Sequence, residues 1–135
     1  MRDAYIAAIG RFFLALLFLG SGLSKLGAAD ATIGYIASVG LPFSGLVYAL
    51  TVAVEVGGGV LLLIGFQARA IAALLGLFTL AAAVLFHVNF ADQNQMIHFM
   101  KNLAIVGGLL QIAAVGAGKL SLDARRGRKA SLQTA

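Results

Sequence analysis

The stretch Phe43–Phe66, FSGLVYALTVAVEVGGGVLLLIGF, decides the fold. One charge, Glu55, interrupts a run of apolar and small residues that can cross a hydrocarbon core of about 30 Å at about 1.5 Å per helical residue. Working outward, three more stretches share its character: Tyr5–Leu26, Ala68–His87 and Met96–Val115. The chain is 61% hydrophobic and 11% charged, too little polar surface for a soluble domain. Lipid supplies no water to backbone N–H and C=O groups, so spanning segments must be helices or a closed barrel. Barrel strands alternate over about ten residues, and these runs do not. The expected fold is all-α: an integral membrane, antiparallel four-helix bundle over residues 1–118, followed by a basic, flexible tail at 119–135. Arg2 ahead of a leucine-rich core has the look of a cleaved leader, but three further spans follow, which fits a permanent helix better.

Charge orients the bundle. The formal net charge is +5. Five of the ten basic residues are Lys119, Arg125, Arg126, Arg128 and Lys129, Arg2 precedes the first span, and Arg69 sits in the turn between the second and third. The other two connections, Gly27–Pro42 and Val88–Gln95, carry Asp30 and Asp92 and no Lys or Arg. The positive-inside rule places both termini and the Gln67–Arg69 turn in the cytoplasm. Beside a membrane span, the basic tail fits anionic lipid rather than nucleic acid. There is no cysteine, which removes disulfides, thiolate nucleophiles and thiolate metal ligands.

In the longer outer connection, Asp30 is positioned to cap a short helix that Gly40-Leu41-Pro42 would stop, because proline disfavours a helical residue before it. The expectation is a surface helix across the bundle mouth. The short turn after Gly65 makes the second and third spans neighbours.

The few charges inside the spans carry the functional information. A carboxylate at mid-membrane costs about 2.5–3.5 kcal/mol or more, so Glu55 must be paired, protonated or beside a polar cavity. Arg11 is the expected partner: counted from the inner helix ends, the two lie about 9 and 15 Å deep. Such a pair is either a structural clamp or part of a binding and proton-handling site. Arg11, Phe18, Gly22 and Lys25 share one helical face, and so do His98, Lys101, Ile105 and Gly108. Lys25, His87, Lys101 and Asn102 are expected to gather near the outer mouth. Spacing assigns no metal site to the histidines. Gly20, Gly22, Gly57–Gly59 and Gly107-Gly108 allow close helix approach in lipid.

Arg11, the stretch LLFLGSGLSK at Leu16–Lys25, EVGGGVLLLIG from Glu55, Arg69, His87, and KNLAIVGGLL at Lys101–Leu110 together resemble the DoxX family of small bacterial and archaeal membrane proteins. The resemblance runs from Gly10 to Gly118. It implies a multi-pass four-helix protein of the cell (inner) membrane, and a role beside thiosulfate:quinone oxidoreductase or other membrane oxidoreductase complexes linked to thiol and oxidative-stress defence. Residues matching the family pattern are Arg11, Gly22, Lys25, Glu55, Gly58, Arg69, His87, Lys101 and Asn102.

The leading expectation is a quinone-interacting subunit of an oxidoreductase system, with no covalent cofactor. Arg11, Lys25, Glu55, His87, Lys101 and Asn102 would line the ligand site, and Glu55 would handle protons. A quinone needs an apolar cleft for its ring and tail and donors for its oxygens. Two alternatives stand beside it: a non-catalytic scaffold that anchors a partner enzyme, and a small-anion or weak-acid transporter, for which a homodimer would supply eight spans. Expected partners are membrane lipids, an oxidoreductase subunit and a second copy of the chain.

Overall fold

The computed structural model describes residues 1–133 as six helices. These are α1 (Arg2–Gly27), α2 (Ala29–Ser38), α3 (Ser44–Ile64), α4 (Ala68–Phe86), α5 (Gln93–Val115) and α6 (Leu122–Gln133). Four of them, α1, α3, α4 and α5, are long and apolar enough to cross a membrane. The chain is an all-α membrane protein with four spanning helices. Large apolar side chains such as Phe13 (63% exposed), Leu77 (69%) and Leu110 (59%) cover its outer surface, which only lipid can satisfy. The small interior is built on Ala15, Phe18, Leu62, Ala72, Leu75 and Leu109.

Packing divides the bundle into two intimate pairs, α1 with α3 and α4 with α5, joined along α3 and α4. Glycine makes the first pair possible. A methyl group at Gly22 would meet Val56 Cγ2 at 2.6 Å and Glu55 Cβ at 3.1 Å, and one at Gly59 would meet Leu19 Cγ at 2.9 Å. Without a hydrophobic drive between helices in lipid, such close backbone approach supplies the dispersion contacts that hold them. A methyl group at Gly20 or Gly57 would meet no side chain or neighbouring helix within 4 Å, and both glycines face outward.

The connections follow local chemistry. Gly65, at φ +67, closes α3, and Phe66 N–H reaches back to the Leu61 carbonyl at 3.0 Å. Ala68 is already helical, three residues after Gly65, so α3 and α4 are adjacent and antiparallel. α5 begins at Gln93, ahead of the expected Met96, because Asp92 Oδ1 accepts from Asn94 N–H at 2.8 Å and caps it. The expected surface helix is α2, although Asp30 lies inside its first turn and does not cap it.

The basic segment 119–135, expected as a flexible tail, holds the helix α6 over its described length, and the start of that helix is fastened to the bundle. Asp123 Oδ1 and Oδ2 accept from Gln67 N–H at 2.7 Å and Ala68 N–H at 2.8 Å, and Asp123 N–H donates to Gly65 O at 3.0 Å. A carboxylate from α6 thus caps the N-terminus of α4, whose first N–H groups lack a partner within the helix and carry partial positive charge. Ser121 Oγ accepts from Ala124 N–H at 3.2 Å and starts α6 itself. Residues 134 and 135 lie outside the described part.

The two classes of glycine give a direct test. Gly22→Leu should destabilise the bundle by about 1–3 kcal/mol through overpacking, whereas Gly20→Leu, on the open face, should stay within about 0.5 kcal/mol. Reversible unfolding in mixed micelles measures both.

Candidate functional site

The polar side chains of the bundle form two groups at opposite ends. At the end that carries both termini, called here the basic end, Arg11 is 5% exposed. Its Nε donates to Leu63 O at 3.3 Å, Nη2 to Leu120 O at 2.7 Å, and Nη1 to Ala117 O. The guanidinium therefore answers carbonyls at the end of α3 and in the segment after α5, where helix C-termini leave acceptors without partners. No carboxylate bonds to it directly, although Asp123 is near enough to act on its charge. The expected Arg11–Glu55 pair is absent, because the register of α1 on α3 forbids it. Gly22 lies against Glu55 and Leu19 against Gly59. In that antiparallel register Arg11 comes level with the last turn of α3, about 12 Å below Glu55.

Glu55 instead pairs with Lys25. Nζ of Lys25 lies 3.0 Å from each carboxylate oxygen and donates to Oε1. It also donates to Ser21 Oγ at 2.7 Å, and Ser21 Oγ donates onward to Glu55 Oε1 at 3.1 Å. The spacing is local in origin: Ser21 and Lys25 are one turn apart on α1, and Gly22 between them lets α3 close in. Lys25 also stands in the last turn of α1, where the helix dipole favours a cation. Glu55 is 5% exposed, and its Oε2, though within ion-pair distance of Nζ, accepts no aligned hydrogen bond.

This buried carboxylate lines a cavity of ≈ 400 Å³ between α1, α3, α4 and α5. Phe18, Phe78, Ile105 and Leu85 supply apolar wall, and Lys25, Glu55, Thr51, His87 and Asn102 supply polar groups. Helix α2 lies across the mouth and contributes Thr32, Tyr35 and Ile36, with Tyr35 stacked on Phe86 at 5.5 Å between ring centroids. His87 Nδ1 is 3.1 Å from Gln95 Oε1, and its ring stacks on His98 at 5.0 Å. Among the described residues no group of three His, Asp or Glu could hold a metal ion.

The cavity brings together four of the six expected ligand residues: Lys25, Glu55, His87 and Asn102. Arg11 belongs to the other end. Lys101 is exposed and lines no part of the cavity; the inward face of α5 runs through Asn102, Ile105 and Leu109, about 100° from the lysine. Sequence reasoning missed Ser21, Thr51 and Tyr35. Ser21 had a signal, its position one turn before Lys25; the other two had none.

A mutant cycle tests the assignment of the pair. Lys25→Met should cost about 3 kcal/mol, since it strands a buried carboxylate, and Lys25→Met/Glu55→Leu should recover most of that loss. Arg11→Leu combined with Glu55→Leu should instead be additive within about 0.5 kcal/mol. Unfolding in bicelles reads both cycles.

The comparisons with known proteins agree with this architecture. The DoxX family profile matches residues 6–88. The Escherichia coli K12 protein described as inner membrane protein YqjF is 38% identical over 115 residues, covering 85% of this chain and 87% of that protein. Inner membrane protein YphA of the same strain is 36% identical over 123 residues, covering 87% of each. No solved structure gives a significant match. The profile covers more than half of the chain and both relatives span most of it, so this multi-pass membrane protein belongs to the DoxX family.

Proposed function

We propose that the chain is the membrane subunit of a quinone-linked oxidoreductase system and that its cavity takes the quinone or quinol headgroup. The observation that carries this reading is Glu55 Oε2, a buried acceptor without an aligned donor, on a carboxylate that lines a largely apolar cavity together with Lys25. A quinone ring fits between aromatic and aliphatic walls and needs donors at its oxygens. Lys25 and the Asn102 amide supply them. A quinol hydroxyl needs an acceptor, and Oε2 is one. Oxidising a quinol releases protons with its electrons; Glu55 is placed to receive a hydroxyl proton, with Lys25 stabilising the charge left behind. The electrons pass to a redox centre of a partner subunit.

Two other readings have less support. Anion transport needs surplus positive charge in the cavity, but Lys25 carries its own counter-charge, the Arg11 donors are committed to carbonyls, and Lys101 points away. A scaffold role draws on the exposed cations Arg125, Arg126, Arg128 and Lys129 of α6, and it is compatible with a quinone site at the other end.

In the membrane, the basic end faces the cytoplasm on the positive-inside argument. The natural absence of cysteine makes this simple to test. Ala91→Cys should react with an impermeant maleimide on intact cells, and Gly127→Cys only after permeabilisation.

For the site itself, a ubiquinone or menaquinone analogue titrated into the protein in nanodiscs should bind saturably. Glu55→Gln and Asn102→Leu should each weaken binding about tenfold, the worth of one good hydrogen bond in a buried site. Lys101→Ala should leave it unchanged. No saturable binding of either analogue would end this reading.

A further inference from the structure

At the basic end, α6 does more than close the chain. Between the first turns of α1, the last turn of α3 and α6 lies a second cavity of ≈ 520 Å³, separate from the one that holds Glu55. Lys119, Arg125 and Arg128 line it, and all three are exposed. Leu63, Ile64 and Leu120 line it as well, with Leu63 37%, Ile64 41% and Leu120 42% exposed, so the groove joins cations to exposed apolar side chains at the end of α3.

The groove carries a surplus of positive charge. Of the nearby acids, Asp3 sits beside Arg2, and Asp123, hydrogen-bonded to the N-terminus of α4, acts on the buried Arg11. Among the described residues no carboxylate pairs with Lys119, Arg125 or Arg128. Arg11 forms part of the floor but has its donors turned to backbone carbonyls. The helix that carries Arg125 and Arg128 is fastened at its start, because Asp123 and Ser121 hold the first turn of α6, with Asp123 bonded to the α3–α4 turn. Arg126, by contrast, lies over the Phe66 ring at 5.1 Å and lines neither cavity, and Lys129 is likewise outside the groove.

We infer that this groove is a binding site for one anionic phospholipid, its phosphate held by Lys119, Arg125 and Arg128 and an acyl chain lying along Leu63 and Ile64. The chemistry matches on both counts. A phosphodiester at the membrane surface is attracted by each nearby Lys or Arg, and guanidinium forks suit phosphate oxygens. A free anion would satisfy the cations and leave the apolar strip unused; a lipid uses both. The site holds regardless of which ligand the Glu55 cavity takes.

The test uses the full chain, delipidated in a neutral detergent and titrated with dioleoylphosphatidylglycerol or dioleoylphosphatidylcholine, with bound lipid counted by native mass spectrometry. The expected result is one retained phosphatidylglycerol per chain in preference to phosphatidylcholine. Arg125→Gln/Arg128→Gln should lower its affinity about 20-fold, and Lys119→Gln about 5-fold. Arg126→Gln/Lys129→Gln, with the same loss of charge outside the groove, should change it less than about 2-fold. Equal loss in the two double variants would overturn the proposal in favour of diffuse attraction to the helix. So would equal retention of the two lipids, or displacement of phosphatidylglycerol by millimolar inorganic phosphate. Circular dichroism confirms that each variant keeps its helices, and the Lys119→Gln measurement decides the matter if the double variant does not.

Discussion

A carboxylate placed in a membrane-spanning helix needs a cation, a proton or a polar cavity, and much of this bundle is arranged to give Glu55 a cation. Glu55 reaches one only if α1 and α3 approach closely and in one register. Gly22 and Gly59 remove the side chains that would hold the helices apart, and the same contact brings Lys25 and Ser21 over the carboxylate. Sliding α1 by a turn would strand Glu55 and move Gly22 off Val56 together. Electrostatic and steric requirements therefore select the same register, which is the kind of agreement between levels that gives a fold a single answer. Once the register is set, the position of Arg11 follows. It comes level with the end of α3, where unanswered carbonyls are abundant.

The two ends of the bundle solve their polar problems in different ways. At the basic end, the buried side chains answer backbone: Arg11 takes carbonyls and Asp123 takes N–H groups, while the cations left over stand at the surface. At the opposite end, side chains answer one another and stop one bond short, at Glu55 Oε2. Native interiors pair nearly all of their buried polar groups, so an exception beside a cavity points toward a ligand. The helix α2 closes that end from above through stacked rings, a contact that holds by dispersion and does not compete for the polar groups beneath it.

Much of this was legible in the sequence. The four spans follow from hydropathy and length, α2 from its stop at Gly40-Leu41-Pro42, and the need of Glu55 for a partner from the cost of burial. Which partner it takes was not legible. Hydropathy fixes how long each helix is and leaves open how far one is shifted along another, so counting depth from helix ends selected Arg11. Lys101 and Asn102 show a second limit. They are neighbours in sequence and face different surroundings, and in lipid both faces of α5 are apolar enough to hide which one turns inward. The helix α6 shows a third. Its polar composition suggests a solvated tail, while its order comes from Asp123 meeting N–H groups that belong to α4, a tertiary contact without a local signature.

That contact has a consequence for how the molecule is made. The turn between α3 and α4 obtains its hydrogen-bond acceptors from residue 123, which leaves the ribosome only after α5 has been synthesised. Until then the first N–H groups of α4 rely on water or lipid headgroups, and the α3–α4 hairpin enters the bilayer with one end unlatched. The final segment to emerge acts as a bolt, slid home across a hairpin that was inserted long before it.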